Sequence, residues 1–334
     1  MVQETIFQYI DSSIKAVNWL ETQINNDGSY SLETQDLACY YKSPYLFYIS
    51  GKVELANRIL NYIKNQFLRG NGDLTTRTNY KSENAAFTEY WAYINGWIAI
   101  AAQKMGRFDV SYPVYQYLTS FYHPKIGGFT TNKPWEKGEN VVDVLTTAHL
   151  GLTCLYFRDL KTAKNAGKLL DRFMNIQPDI KSGFYLRMND DEKLIIDFSE
   201  DVSLFFQVSA IKPNQAYFMI GYPLAFLANL YKITGDKFYL NTAKKYLDFA
   251  FSCHENIRSF YFSHKVAWGA AIIANLTGEI KATELSKSIV DYFLSIQTET
   301  GVWLTEQPTY SYFDQTAEIA IWLREISTEI SNIC

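Results

Sequence analysis

Two kinds of stretch alternate along the chain. In one, charges recur at helical spacing. In the other, nearly every position is apolar. "GDKFYLNTAKKYLDFAF" is of the first kind, with Phe238, Ala243, Tyr246, Leu247 and Ala250 falling on one face of a helix. That pattern marks a half-exposed helix. It recurs at 4–24, 52–68, 108–122, 160–177, 237–253 and 280–297. "WAYINGWIAIAA" and "KVAWGAAIIANL" are of the second kind and predict helices buried all round. These lie near 35–50, 85–105, 141–158, 214–234, 264–277 and 313–326.

Two punctuation marks separate the stretches. "KAVNWLETQINNDGSY" and "KSIVDYFLSIQTETGVW" both run from apolar helix to Gln, then a few polar residues, then Gly-x-aromatic. Weaker copies place the turn at Gly72, at Gly127 or Gly128, at Gly183 and at Ser259, between Gly28 and Gly301. The other mark is a glycine just past an apolar helix, where a left-handed cap needs no Cβ. It falls at Gly51, Gly106, Gly235 and Gly278, with Arg158-Asp159 substituting once. A single hairpin cannot bury its own apolar helix, so repeats of this length must stack. Six exposed and six buried helices predict an all-α (α/α)6 toroid, one domain over residues 1–334, with the buried helices as the inner ring. The long segment 186–213 alternates enough for a β-hairpin or lid, and a plain surface excursion is the other reading.

The Gln-to-Gly-x-aromatic repeat resembles the QW repeat of terpenoid cyclases and protein prenyltransferases, which implies the toroid. Class II terpenoid cyclases carry Asp-x-Asp-Asp-Thr-Ala on an inner helix, and its central aspartate protonates the substrate. "DVLTTAHL" is similar at Asp143, Thr147 and Ala148, but Leu145 stands where the proton donor would be. Either Asp143 keeps a changed role or the match is chance on an apolar helix. Prenyltransferases would imply a zinc site, for which Cys39, Cys154 and Cys253 show no ligand set. "SCHEN" resembles the Cys-His pair of lanthionine cyclases, without that family's other cysteine motif, so Cys253 reads as structural and His254 as a surface residue. The runner-up resemblance is to six-hairpin carbohydrate-active enzymes, to which "LYKITGDKFYLNTAKKYLDFA" and "HKVAWGAA" are similar.

Composition narrows the partners. The net charge of −4 is spread without a basic block, which argues against nucleic acid. No signal peptide and no run of 18 apolar residues are visible, and four scattered cysteines suit a cytoplasmic protein. Aromatic residues make up 16% of the chain, from a packing style or from an aromatic-lined cavity.

Polar groups on the buried helices are the candidates for chemistry, because burying them unused is costly. Asp314 and Glu318 lie one helical turn apart and can divide acid and base roles; alternatively one is solvated and the other paired. Glu89 and Tyr93 have the same spacing. His149 and His264 belong to buried helices, as acid–base groups or as hydrogen-bonded core residues, whereas His123 and His254 are expected at the surface. Asp143, Glu89, His264, Asp314, Glu318 and His149 are thus the catalytic candidates. Tyr41, Trp91, Tyr93, Thr147, Tyr217, Tyr222 and Trp268 are the substrate-binding candidates. Lys42 and Lys265 would draw an anionic group to the rim. No metal, nucleotide or other cofactor is expected. The first reading is a terpenoid-cyclase-like enzyme that runs a metal-independent acid–base cyclisation, isomerisation or elimination in an aromatic-lined central cavity; the alternatives are a carbohydrate-active six-hairpin enzyme and then a binding toroid without catalysis. The substrate would be hydrophobic or sugar-like, and nothing specifies an oligomeric state.

Overall fold

The computed structural model describes residues 2–332. Exposed and buried helices arrive in pairs. The first pair is α1 (Val2–Thr22) with α2 (Ser43–Ile49), preceded by a 3₁₀ turn at Leu37–Cys39. The second is α3 (Val53–Gln66) with α4 (Ala86–Glu89) and α5 (Tyr93–Lys104). Next come α6 (Phe108–Thr119) with α7 (Val144–Tyr156), and α8 (Leu160–Asn175) with α9 (Phe218–Thr234). The last are α10 (Lys237–Ser252) with α11 (His264–Thr277), and α12 (Ile280–Ile296) with α13 (Thr309–Ser331). The two classes of helix are real: α7 buries 11 of its 13 residues, α8 only 6 of 16. Phe238 is the exception on the α10 face; it lies in the first turn and is 39% exposed.

Two of the expected buried helices are broken. Over 35–50, the Asp36 side chain accepts the Ala38 N–H and starts a short 3₁₀ turn. Pro44 then begins α2 afresh, in a first turn that needs no N–H from it. Over 85–105, Tyr90 leaves the helical region (φ −114°, ψ 60°) and ends α4. Glu89 and Tyr93 therefore sit on different helices, and the shared face expected of them does not form.

The repeat has a packing reason. Gly301 has φ +93°, and a Cβ there would lie 2.6 Å from the Lys15 carbonyl carbon in α1. At Gly72 a Cβ would meet the Pro113 oxygen of α6 at 2.2 Å. Each turn thus rests directly on the backbone of another exposed helix, which only glycine permits. The repeat glutamine holds the turn in place. Gln297 donates to the carbonyls of Ser12 and Gly301 and accepts the Ser12 hydroxyl, so the last turn is fastened to the first helix. Arg158 (φ 60°) takes the left-handed position that glycine holds after other buried helices.

Short antiparallel pairs decorate the loops. They are β1 (Tyr122–His123) with β2 (Gly128–Phe129), β3 (Val141–Asp143) with β5 (Arg187–Asn189), and β4 (Gly183–Tyr185) with β6 (Gln207–Ser209). A tight hairpin does form within 186–213, where Met188 bridges Leu194, the Asn189 N–H donates to the Lys193 carbonyl and the Ile195 N–H to the Arg187 carbonyl; β5 also pairs with β3 before α7, and β6 closes on β4.

By contacts the chain forms two compact units. One contains Gln3–Phe121 and Ile296–Arg324; the other contains Tyr122–Ser295 and residues from Glu325 onward. In the first, α5 packs on α2 and α6; in the second, α9 packs on α7, α8, α10 and α11. No helix among the described residues is long and apolar enough to cross a membrane.

Candidate functional site

In the first unit, Asp314 and Glu318 lie one turn apart on α13, as their spacing predicts. Both are buried, at 8% and 2% exposure, so neither is the solvated carboxylate of the alternative reading. They face one ammonium. Lys42, just before α2, places its Nζ 2.7 Å from Asp314 Oδ1 and in contact with Glu318 Oε2. This is not the rim lysine expected from the sequence, because its own chain supplies the anions. The Tyr41 hydroxyl and Gln315 Nε2 donate to Asp314, the latter at 2.9 Å, and Trp322 Nε1 donates to Glu318 at 3.0 Å. Aromatic rings enclose the cluster. Tyr41 meets Phe87, Tyr93 and Trp97 edge-on, and Trp97 lies 5.6 Å from Trp322. The Lys42 ammonium sits 4.8 Å from the Tyr41 ring centre and 5.7 Å from that of Trp97, within cation–π range.

Two carboxylates buried side by side are costly to ionise together, and such a pair favours keeping a proton. Burial raises the Asp314 carboxyl above its ordinary range; Lys42 opposes the rise, and the neighbouring Glu318 adds to it. Burial likewise holds the Tyr41 phenol well up, with the Asp314 charge adding to the effect.

A second buried lysine in this unit went unnoticed in the sequence. Lys81 donates to Asp73 Oδ1 at 2.9 Å and to Asn95 Oδ1 at 2.5 Å, and lies 4.9 Å from the Trp91 ring centre. Asp73 also accepts Trp91 Nε1 (2.9 Å), Asn95 Nδ2 (3.1 Å) and its neighbour's backbone N–H. Trp91 therefore belongs to this closed network. Glu89 is half-buried at the end of α4.

In the second unit, Asp143 ends β3 and caps α7, accepting the Thr146 N–H at 2.5 Å. Capping by itself explains an aspartate there. Thr147 Oγ1 accepts the Phe129 N–H at 3.2 Å, and Leu145 is plain core. Opposite Asp143 in the ladder stands Arg187, a buried residue missed in the sequence, whose guanidinium lies 4.4 Å from the Phe206 ring centre.

The His149 ring is edge-on to Tyr222 at 5.1 Å, and the buried Lys265 ammonium lies 5.0 Å from that same tyrosine. His264 Nδ1 accepts the Lys265 N–H at 2.9 Å. Tyr217 is fully buried near Phe260, its phenol pushed up to about 12 by burial, and Trp268 is buried in α11. His123 is not at the surface: it is 5% exposed, with Nε2 2.8 Å from Asp190. The Ile126 N–H donates to its Nδ1, so Nε2 carries the proton towards the carboxylate. His254 is half-buried and accepts the Asn256 N–H; Cys253 beside it is buried.

The structure thus joins Asp314, Glu318, Tyr41 and Tyr93 in one cluster, and His149 and Tyr222 in another with Lys265. Lys42 and Trp322 complete the first. Among the described residues no three His, Cys, Asp or Glu side chains converge as metal ligands.

Solved structures share this fold over nearly the whole chain. A D-mannose isomerase is 13% identical, with a TM-score of 0.72 over 96% of each chain. A family 76 α-mannanase of Bacteroides thetaiotaomicron is 12% identical, with a TM-score of 0.64 over 96% of each. The type II terpene cyclase MstE of Scytonema, bound to geranylgeranyl dihydroxybenzoate, is 11% identical, with a TM-score of 0.62 over 98% of this chain and 99% of that one. The fold is the all-α (α/α)6 toroid class. Both families that the sequence resembles are represented among these structures. No protein-family model and no curated protein matches the sequence.

Proposed function

We propose that the chain is an enzyme acting on a small hydroxylated molecule, a sugar or close derivative, by acid–base catalysis at Asp314. The carrying observation is the pair of buried carboxylates facing one buried ammonium. An aldose–ketose isomerisation needs one group to protonate the carbonyl oxygen and another to take the proton from the adjacent carbon. Asp314, its carboxyl raised by burial, supplies the first. Glu318, beside Lys42, supplies the second. Fold likeness to a D-mannose isomerase and to a mannanase supports this reading, as does the number of charged groups in the cluster. A second reading, cyclisation of a polyprenoid started by the same proton, is favoured by the rings of Tyr41, Trp97 and Trp322 around the acid and by the likeness to a terpene cyclase.

Incubation with neutral aldoses and ketoses in D₂O, followed by NMR, tests the proposal. Deuterium should enter at the carbon next to the carbonyl with wild type and not with Asp314→Asn. Parallel reactions with α-mannosides and with polyprenyl aromatic acids separate the readings. Turnover of polyprenoids alone, or undiminished sugar turnover by Asp314→Asn, would sink it.

A further inference from the structure

A cavity of about 390 Å³ opens in the first unit, with Tyr310, one helical turn before the proposed acid, in its wall. Its walls come from the loop after α1, from the 3₁₀ turn before α2, from the loop before α4 and from the first turn of α13. Two links tie it to the acid. Tyr310, in its wall, precedes Asp314 by one helical turn, so both residues share a face of α13. Cys39, also in its wall, lies within electrostatic reach of Asp314.

The lining has one chemical character. Ser31, Thr34, Thr309 and Tyr310 bring hydroxyls, Glu33, Asp36 and Glu83 bring carboxylates, and no lysine or arginine takes part. Asp36 already accepts the Ala38 N–H, the Ser82 hydroxyl and the Glu83 N–H, so it fixes the wall. Glu83 bonds the exposed Arg77 at 2.9 Å, outside the lining.

We infer that this cavity is the substrate subsite of the proposed enzyme and that it selects neutral or cationic sugars against anionic ones. The inference rests on the acid–base reading above. Its size lies within the range of small-ligand pockets. Hydroxyls and carboxylates are good partners for sugar hydroxyl groups. A ligand carboxylate or phosphate would meet like charge with no cation in the wall, and such repulsion discriminates more sharply than added attraction.

The test measures binding by full-length Asp314→Asn, using D-mannose, D-glucosamine and D-glucuronate as probes in calorimetry. The first two should bind, and glucuronate at least about tenfold more weakly. Glu33→Gln with Glu83→Gln should narrow that gap, and Thr309→Trp should weaken all binding. Tyr310→Ala serves where the bulky variant melts early. Equal affinity for glucuronate overturns the inference. So does an unchanged KM in Thr309→Trp and Tyr310→Ala while Asp314→Asn has lost turnover, an outcome that leaves the function standing. Mannose binding that Thr309→Trp abolishes, with no turnover of any sugar, overturns the function and supports the subsite.

Discussion

Lys42 and Lys81 lie in the same unit, are 2% and 1% exposed, and each sits over an aromatic ring. What faces them differs. Lys81 meets one carboxylate and one amide, and tryptophan and backbone N–H groups occupy the rest of that carboxylate. Charge and hydrogen bonds close on themselves, so the network fixes the loop and has nothing left to react. Lys42 meets two carboxylates, and burial together with the neighbouring Glu318 raises the Asp314 carboxyl above its ordinary range. Equal burial therefore goes with two electrostatic settings, one carboxylate beside Lys81 and two beside Lys42. The stoichiometry of charge makes the difference.

Substitution of one acid in each cluster should show this most strongly. Asp314→Asn is expected to lower turnover by about 10²–10⁴-fold, the usual worth of a positioned acid, with little change in melting temperature. Asp73→Asn should do the reverse, destabilising the fold with turnover per folded molecule preserved. If both variants lose only stability, the distinction between the clusters fails.

Removal of the buried cation comes next. Lys81→Met leaves Asp73 uncompensated and should cost about 3–5 kcal/mol in a denaturant titration. Lys81 also leaves a mark on the pH dependence of stability. Burial lowers its ammonium to about 8 from an ordinary 10.5, against the pull of Asp73. Between those values the unfolded chain binds the proton that the folded chain has lost, so wild-type stability should rise with pH across that window. The rise should be missing from the difference curve of Lys81→Met, and its persistence there would assign it to another group.

Each cluster also has one tryptophan N–H on a carboxylate, a bond to a charged group worth about 1.5–3 kcal/mol. Trp91→Phe should cost stability of that order without touching kcat. Trp322→Phe should cost stability and also change kcat, because it alters the carboxylate beside Asp314.

The smallest effect is a displaced pH limb. With Asp314 raised above the ordinary carboxylate range, activity should fall as pH climbs through that raised value, because the acid form is lost. Glu318→Gln, which the proposal also expects to lose turnover, removes a charge that raises Asp314 and leaves Lys42 to Asp314 alone, so the Asp314 carboxyl should titrate at lower pH when followed by ¹³C NMR. A carboxyl signal that stays put in that variant would show that Glu318 does not act on Asp314.

Particular residues show how far the sequence could be read. The spacing of Asp314 and Glu318 on an apolar helix was enough to select them. The positions of Gly28, Gly72 and Gly301 marked turns whose packing on neighbouring backbone the structure explains. Asp143 was equally visible, and the structure adds that its side chain caps α7. Trp322 carried a readable signal, one turn beyond Glu318 on the same helix, and was missed. Asp73, Lys81 and Asn95 come from a turn, a loop and a helix, so no period links them. His123 follows the end of an exposed helix, where a surface position is the default, and its burial depends on a distant aspartate.

The sequence by itself determined the alternation of half-exposed and buried helices, the caps between them and the pairing of two acids on one face. All of these follow from the local period of the helix and the φ freedom of glycine. Only the tertiary structure decided what those acids meet. Lys42 and Glu318 stand 276 residues apart, and no local rule relates a lysine before one helix to a carboxylate on the last. Packing brings one cation to two carboxylates, and burial there raises the carboxyl of Asp314.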